Sequence, residues 1–139
     1  MELATPAVWA AQDALKAALV AASGTVAVDL GFPETVEPKH IWINGEATSS
    51  LAYDECGNEP SGEELQLTVH AIATFAGTYA EARAVAQTMW GYITTAIQSA
   101  GFRATVSHAR VTDYKVEEAR TESDRQIGLT IHLACSVWE

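Results

Sequence analysis

The chain has 139 residues, a length that fits one domain with a single core. Its hydrophobic content of 48% and charged content of 19% are typical of a globular protein in water. Eighteen acidic against eight basic residues give a formal charge of −10. This balance argues against tight binding to nucleic-acid phosphates or anionic membranes, because both need clustered Lys and Arg. We expect one domain over residues 1–139.

Two cysteines are too few for a disulfide framework. Cys135 falls on the apolar side of a probable strand and Cys56 in a polar loop, which predicts two free thiols in a reducing compartment. The apolar run at residues 7–22 is interrupted by Gln12, Asp13 and Lys16, so it is too polar and too short to cross a bilayer. No basic-then-apolar start indicates a signal peptide, and we expect the protein to be made and used in a cytoplasm.

The first predicted element is a helix. Thr5 and Pro6 suit its start, since Thr can cap a helix and Pro is tolerated at the first helical position. Ser23 and Gly24 end it. Its buried stripe is predicted to contain Val8, Ala11, Leu15, Ala18, Leu19 and Ala22. Trp9 lies off this stripe and is either a partial core residue or an outward anchor.

Two extended segments follow the helix. Residues 26–30 form a short strand that Gly31 closes. A second begins at residues 41–43, is interrupted by a turn or bulge at Asn44 and Gly45, and resumes through Tyr53. Residues 54–63 then read as an acidic loop, and Glu64 follows it.

Residues 64–111 carry the strongest local signals. Apolar and other side chains alternate in a strand whose apolar face holds Leu65, Leu67, Val69, Ala71 and Ala73. Thr78 and Glu81 have the spacing of a capping box, in which each side chain satisfies a free backbone N–H. A helical stripe follows, and we expect Gly101 to end that helix. The stripe consists of Tyr79, Ala82, Ala86, Met89, Ile93 and Ile97.

The C-terminal part is predicted to be a pair of strands. Residues 103–111 form the first, residues 112–125 a second charged segment, and a long closing strand follows. The closing strand alternates Ile127, Leu129, Ile131, Leu133, Cys135 and Val137 with polar or small residues. The order α-β-β-β-α-β-β predicts an α+β fold, with a mostly antiparallel sheet of about five strands and two helices packed on one face.

No catalytic or metal-binding motif emerges. The plausible ligands are His70, His108, His132 and Cys135, but His132 and Cys135 stand three apart and a strand places them on opposite faces. His70 and His132 can share a polar sheet face, yet they have no third ligand. No serine lies in a glycine elbow and no glycine-rich phosphate loop is present. We expect no cofactor, no metal and no enzymatic activity.

The acidic segments and the tryptophans are the less ordinary features. Acidic loops usually form only a solvated surface, but at hairpin ends they can also contact partners. Candidate partner or lumen contacts are Asp54, Glu55, Glu59, Glu63, Glu64, Asp113, Glu117, Glu118, Glu122 and Asp124. Because Trp is enriched at interfaces, Trp9, Trp42 and Trp138 are candidate subunit contacts.

This order of elements resembles the tail terminator, or tail completion, proteins of long-tailed bacteriophages. The resemblance covers most of the chain and is one of pattern, without a signature motif. It includes the helix ending near Gly24, the strand at 26–30, and the Trp42 strand with its continuation through residues 46–53. It continues with the strand at 65–74, the helix at 79–100, and the closing strands at 104–111 and 126–138.

The resemblance implies a structural role in the virion tail, with assembly in the host cytoplasm. Such proteins form a hexameric ring that caps the tail tube, ends its elongation and meets the head-side connector, while DNA passes through the lumen without specific binding. Partners would be other copies, the tail tube protein and the connector or neck protein, with no membrane. The alternatives are another neck, head-completion or tail-tube protein. A less favoured alternative is a small α+β enzyme or ligand-binding domain with a pocket at His70 and His132, which His108 could extend.

Overall fold

A computed structural model describes residues 7–53, 60–120 and 124–138. It has the predicted α+β architecture. In chain order, the elements are α1 (Ala7–Ser23), β1 (Ala27–Leu30), β2 (Lys39–Ile43), β3 (Thr48–Tyr53), β4 (Pro60–Phe75), α2 (Tyr79–Ile97), α3 (Ala100–Thr105), β5 (His108–Arg120) and β6 (Arg125–Trp138).

The described strands form one mixed sheet of six, in the order β1-β2-β4-β6-β5, with β3 paired to β4. Only β1 and β2 run parallel, so the sheet is mostly antiparallel as predicted. It has one strand more than the expected five, because the interruption at Asn44 and Gly45 separates β2 from β3. Both pair with the same edge of β4, β3 beside its first half and β2 beside its second.

The core lies between the sheet and the helices on one of its faces. The predicted apolar sides of β4 and β6 are buried there, and α1 buries Ala11, Leu15 and Leu19 against them. Gly24 ends α1 with a φ of 63°, a left-handed conformation that favours glycine. Within the part of the chain that the structure describes, no helix combines the length and apolarity needed to span a membrane.

The capping box at the start of α2 is confirmed. The Glu81 backbone N–H donates to the Thr78 hydroxyl at 3.2 Å, and the Glu81 carboxylate accepts from the Thr78 backbone N–H at 3.4 Å. The predicted α2 stripe is buried except for Tyr79, which is 40% exposed. Helix α2 therefore lies across β4 and β6 as the sequence predicts.

The expectation that Gly101 ends the second helix is wrong. Helix α2 ends at Ile97, and a new short helix, α3, starts after Ser99, whose hydroxyl accepts from the Phe102 backbone N–H at 3.3 Å. This extra turn places Phe102 and Val106 in the core, both fully buried. The strand predicted at 103–111 consequently starts only at His108.

The second charged segment is largely strand and not loop. Residues 112–120 belong to β5, which pairs with β6 over its length. The register shifts between Val111 and Asp113, so Thr112 is an inserted residue, or β-bulge. Because the bulge reverses the alternation, Val111 before it and Tyr114 after it lie on the helix side of the sheet.

The first acidic loop is also shorter than predicted. Strand β4 already includes Glu63 and Glu64, which pair with Leu51 and Ser50 of β3. The strand extends here because β3 on one side and β6 on the other supply ladder partners.

Removing the cap of α2 tests this part of the fold. We expect Thr78→Ala to lower the free energy of unfolding by about 1 kcal/mol, because one helix N–H loses its acceptor. Urea denaturation of this variant, of the control variant below and of the parent measures the free energy of unfolding. Thr88→Ala is the control, since Thr88 is an exposed residue inside α2 whose hydroxyl only donates to the Ala84 carbonyl. Equal losses in both variants would contradict the capping role.

Candidate partner-binding surfaces

The side of the sheet away from the helices, here called the open face, carries an aromatic group. Trp42 stacks on His70 with ring centroids 5.3 Å apart, and Phe32 meets Trp42 edge-on at 5.5 Å. Phe32 is 76% exposed, while Trp42 and His70 are half-buried. Trp42, a candidate subunit contact, therefore belongs to a packed cluster of which Phe32 is the outermost member.

The segment that carries Phe32 is held by a buried histidine. His40 is 2% exposed; its Nδ1 accepts from the Glu37 backbone N–H at 2.9 Å, and its Nε2 lies 2.6 Å from an Asp29 carboxylate oxygen. These contacts hold the connection between β1 and β2 against β2. Phe32 is thus presented by a connection that is tied down at both ends.

His70 is a half-buried base held in a polar setting. Its ring nitrogens lie 3.4 Å from the Asn44 amide nitrogen and 3.3 Å from the Thr130 hydroxyl. Burial, and secondarily the charge of His132, lower the pKa of His70 below its ordinary value of 6.5. His70 is therefore favoured in its neutral form near pH 7.

The histidines do not form one pocket. His70 and His132 share the open face as predicted, but His132 contacts Asp113 and His108 lies towards the start of β5. His108 and His132 line two adjoining cavities that share Gln66 and Ala134, and His70 lines neither of them. Among the residues that the structure describes, no group of three or more His, Cys, Asp or Glu side chains could hold a metal ion.

The candidate acidic residues spread over several environments. Asp54, Glu55, Glu59 and Glu122 lie outside the described residues. Glu63 is half-buried, and one of its carboxylate oxygens accepts from the Ala7 backbone N–H at 3.2 Å, at the start of α1. This geometry suits the positive end of a helix, so Glu63 supports α1.

The remaining acids lie mostly at the surface. Glu64 is exposed on the open face, Glu117 is 2.6 Å from Lys115, and Glu118 is 3.3 Å from Arg125. Asp113 contacts His132, while Asp124 is half-buried before β6. Asp113 and Glu117 share the open face of β5, whereas Glu118, paired with the buried Ile127, lies on its helix side. Glu63 and Glu64 lie on opposite faces of β4.

The two acidic connections start from opposite ends of the central strand. Gly62 pairs with Trp138 at what we call the lower end of β4, and Phe75 pairs with Arg125 at the upper end. The 16 residues of β4 span about 50 Å at ~3.3 Å per residue. Tyr53 at the end of β3 and Arg120 at the end of β5 therefore lie at opposite ends of the sheet.

Two of the candidate tryptophans are solvent-accessible. Trp9 on α1 is 61% exposed, and Trp138 at the end of β6 is 46% exposed. The Trp138 ring lies over Gly62, where an added Cβ would come within 2.5 Å of a ring carbon. Glycine at position 62 thus makes room for Trp138 at the lower end of the sheet.

A groove between α2 and β5 is a depression with aromatic walls that the sequence reasoning missed. Its walls include Tyr79 and Trp90 from α2 and Tyr114 and Val116 from β5, and its volume is about 400 Å³. Trp90 and Tyr114 meet edge-on at 5.1 Å. We call this feature the edge groove, because β5 is the last strand of the sheet on that side.

A signal for the edge groove was present in the sequence. Tyr114 and Val116 alternate with Asp113, Lys115 and Glu117, the period of a strand with one apolar side. The charges made the segment resemble a loop. On the structure, the charged members point to the open face and the two apolar ones to the edge groove, where Tyr114 is 61% and Val116 53% exposed.

Comparison with known proteins found no matching family model and no matching curated protein. Among solved structures, a chain of the virion of a native gene transfer agent particle is similar. The two are 19% identical, and the match covers 90% of this chain and 93% of the other, with a TM-score of 0.42. Likeness at this level does not assign a function.

The lowered pKa of His70 predicts a pH dependence of stability. Above pH 6.5 the histidine is neutral in both folded and unfolded chains. Below it the unfolded chain takes up a proton more readily than the folded one. We expect the unfolding free energy to fall from about pH 6.5 down to the native pKa, and less steeply in His70→Gln. An NMR titration of the His70 ring checks the pKa directly; a value above 6.5 would contradict it.

Proposed function

We propose that this protein is a structural virion protein that forms a hexameric ring on the phage tail tube. The ring ends elongation of the tube and joins the tail to the head-side connector. The pattern resemblance to tail terminators suggests this role. The observation that carries it is that the two edges of the sheet differ from each other.

The described sheet ends in β5 on one side and in β1 and β3 on the other. Strand β5 runs in the direction of β4, whereas β1 and β3 run against it. A second copy set beside the first, without being turned over, would offer its β3 or β1 antiparallel to β5. Contacts between two different patches are heterologous, and such contacts generate closed rings when the rotation closes.

The charge supports a role around DNA without a role in holding it. With a net charge of −10, the surface repels the phosphate backbone, and a lumen lined by carboxylates lets DNA slide. The two acidic connections emerge at opposite ends of β4. We propose that one end meets the tail tube protein and the other the connector or neck protein, with no contact to a membrane.

A neck, head-completion or tail-tube protein is the alternative within the same class, because a ring or tube built from copies of such a protein would also need heterologous contacts. A small enzyme or ligand-binding domain is less favoured. The pocket that it requires would gather His70, His132 and His108, and the structure distributes these residues along the open face.

Electron microscopy of a virus that lacks the gene tests the role. We expect over-long tails without attached heads, because nothing stops the addition of tube subunits. Normal tails joined to heads in the deletion virus would overturn the proposal. Heads without DNA, or no tails at all, would favour a head-completion or a tube protein instead.

Complementation of that deletion tests the first acidic connection. The triple variant Asp54→Asn, Glu55→Gln, Glu59→Gln should fold and yet fail to restore normal tails. The matched control changes the charge equally at three other acids: Glu34→Gln, Glu37→Gln and Glu46→Gln, all exposed. Tail length and head attachment are scored on micrographs. Full rescue by the first variant would remove residues 54–59 from the contact surface.

The assembly state is a further expectation. Light scattering and native mass spectrometry should detect monomers at low concentration and hexamers at high concentration or on tail tubes. Heterologous contacts predict this series without a stable intermediate dimer. A dimer that persists under all conditions would contradict a ring.

A further inference from the structure

The β5 edge divides its side chains by chemistry. Asp113, Lys115 and Glu117 point to the open face, while Tyr114 and Val116 point into the edge groove. Tyr79 from α2 is also 40% exposed there. Beyond β5 the described sheet has no further strand, so its outer backbone groups are free to pair with an added strand.

Strand β3 has matching properties on the opposite side of the sheet. Its sequence from Thr48 to Tyr53 is uncharged. Leu51 pairs with Glu63, on the helix side of the sheet, and is 44% exposed; Tyr53, two residues on, is 54% exposed. An uncharged edge with two exposed apolar side chains on the helix side is unusual, because edges are commonly protected by charge.

The directions of the two edges are compatible. In a row of copies that all face the same way, β3 of one copy runs antiparallel to β5 of the next. The helix sides of both sheets then continue on the same side. Leu51 and Tyr53 of the added strand would therefore point towards the helix that walls the edge groove.

The outline of the sheet sets the smallest stagger that this contact allows. No described strand pairs with the outer edge of β3. Further up, β1 lies outside β2 and ends level with Val69, through the pairs Leu30–Ile43 and Ile43–Val69. Arg120, at the upper end of β5, pairs with Arg125 of β6, which in turn pairs with Phe75 of β4, so Arg120 lies at the level of Phe75. To fit beside β3 and below β1, an incoming β5 must slide down by at least about eight residues, the separation of Phe75 from Leu67.

This slide brings the exposed apolar groups together. Leu51 of β3 is level with Glu63 of β4. About eight residues further up β4, Ala71 pairs with Leu129, which in turn pairs with Val116 of β5. A slide of about eight residues therefore brings Val116 of the incoming β5 beside Leu51. Tyr53, two residues from Leu51 along β3, then falls near Tyr114, two residues from Val116 along the antiparallel β5. The smallest stagger that the outline of the sheet allows is thus one that seats the β3 side chains in the edge groove.

We propose that neighbouring copies join by addition of β3 to β5, with Leu51 and Tyr53 of one copy seated in the edge groove of the next. The interface rests on the ring of the proposed function and names the surfaces that close it. Main-chain hydrogen bonds along β3 would supply the pairing, and the edge groove would supply specificity for the Leu and Tyr side chains.

Disulfide trapping tests the contact. In a Cys56→Ser background, one preparation carries Leu51→Cys and a second carries Val116→Cys, both at exposed positions. Cys135 can stay, because burial raises the pKa of its thiol to about 11 and keeps it unreactive. At a concentration where light scattering detects assemblies, mild oxidation of the mixture should give covalent heterodimers, and neither variant alone should give more than traces.

A chain that carries both Leu51→Cys and Val116→Cys distinguishes a ring from a two-fold dimer. Heterologous contacts predict a ladder of covalent species up to the hexamer, whereas any two-fold contact stops at the dimer. The control partner for Val116→Cys is Val20→Cys, an equally apolar position on α1 that is 49% exposed and should not cross-link. A substituted edge residue from β1, Leu30→Cys, tests the other free edge.

Each outcome decides between defined interfaces. Dimers from Val116→Cys alone would indicate a two-fold β5–β5 contact, and cross-links from Leu30→Cys in place of Leu51→Cys would indicate β1; both overturn the proposed interface. Assemblies without any of these cross-links overturn it too and leave the ring intact. Monomers at every concentration and on tail tubes would overturn the ring itself. A ladder in a protein whose deletion leaves tails normal would support the interface and reject the tail role.

Discussion

The pairing of β4 with β6 is the constraint on which the rest of the structure depends. Their register runs unbroken from Gly62 and Trp138 to Phe75 and Arg125. Because side chains alternate along a strand, this register puts the apolar series of both strands on the same side. That side needs a cover, and α1 and α2 supply it with their own apolar stripes. A one-residue slip would turn every one of these side chains to solvent, so the register is strongly fixed.

The edges of the sheet are determined by smaller features. A bulge at Thr112 reverses the alternation in β5, so that Tyr114 and Val116 face the helix side while the charged residues between them face away. Without the bulge, the same sequence would place Asp113, Lys115 and Glu117 beside Trp90. One inserted residue thus determines whether the outermost strand presents an apolar or a charged side to the edge groove.

The parts that could be predicted from the sequence are those specified by local patterns. The β4 alternation, the Thr78 and Glu81 capping box and the α2 stripe each follow from spacing within one element, and all are found in the structure. Helix α3 could not be read in this way, because it depends on burying Phe102 against elements distant in sequence. The edge groove was missed for a related reason: the charges on the open side of β5 hid the apolar side.

The shape of the opposite edge follows from the only parallel pair among the described strands. A parallel neighbour requires the chain to return along the sheet, and residues 31–38 do this without a helix. The return is held by the His40 contacts and by Phe32 against Trp42. It places β1 outside β2 but not outside β3, so the edge has a step. An antiparallel hairpin at this place would not need such a return connection. The lower end of β1 therefore acts as a stop for a neighbouring strand, and it excludes the smaller staggers that backbone hydrogen bonds alone would allow.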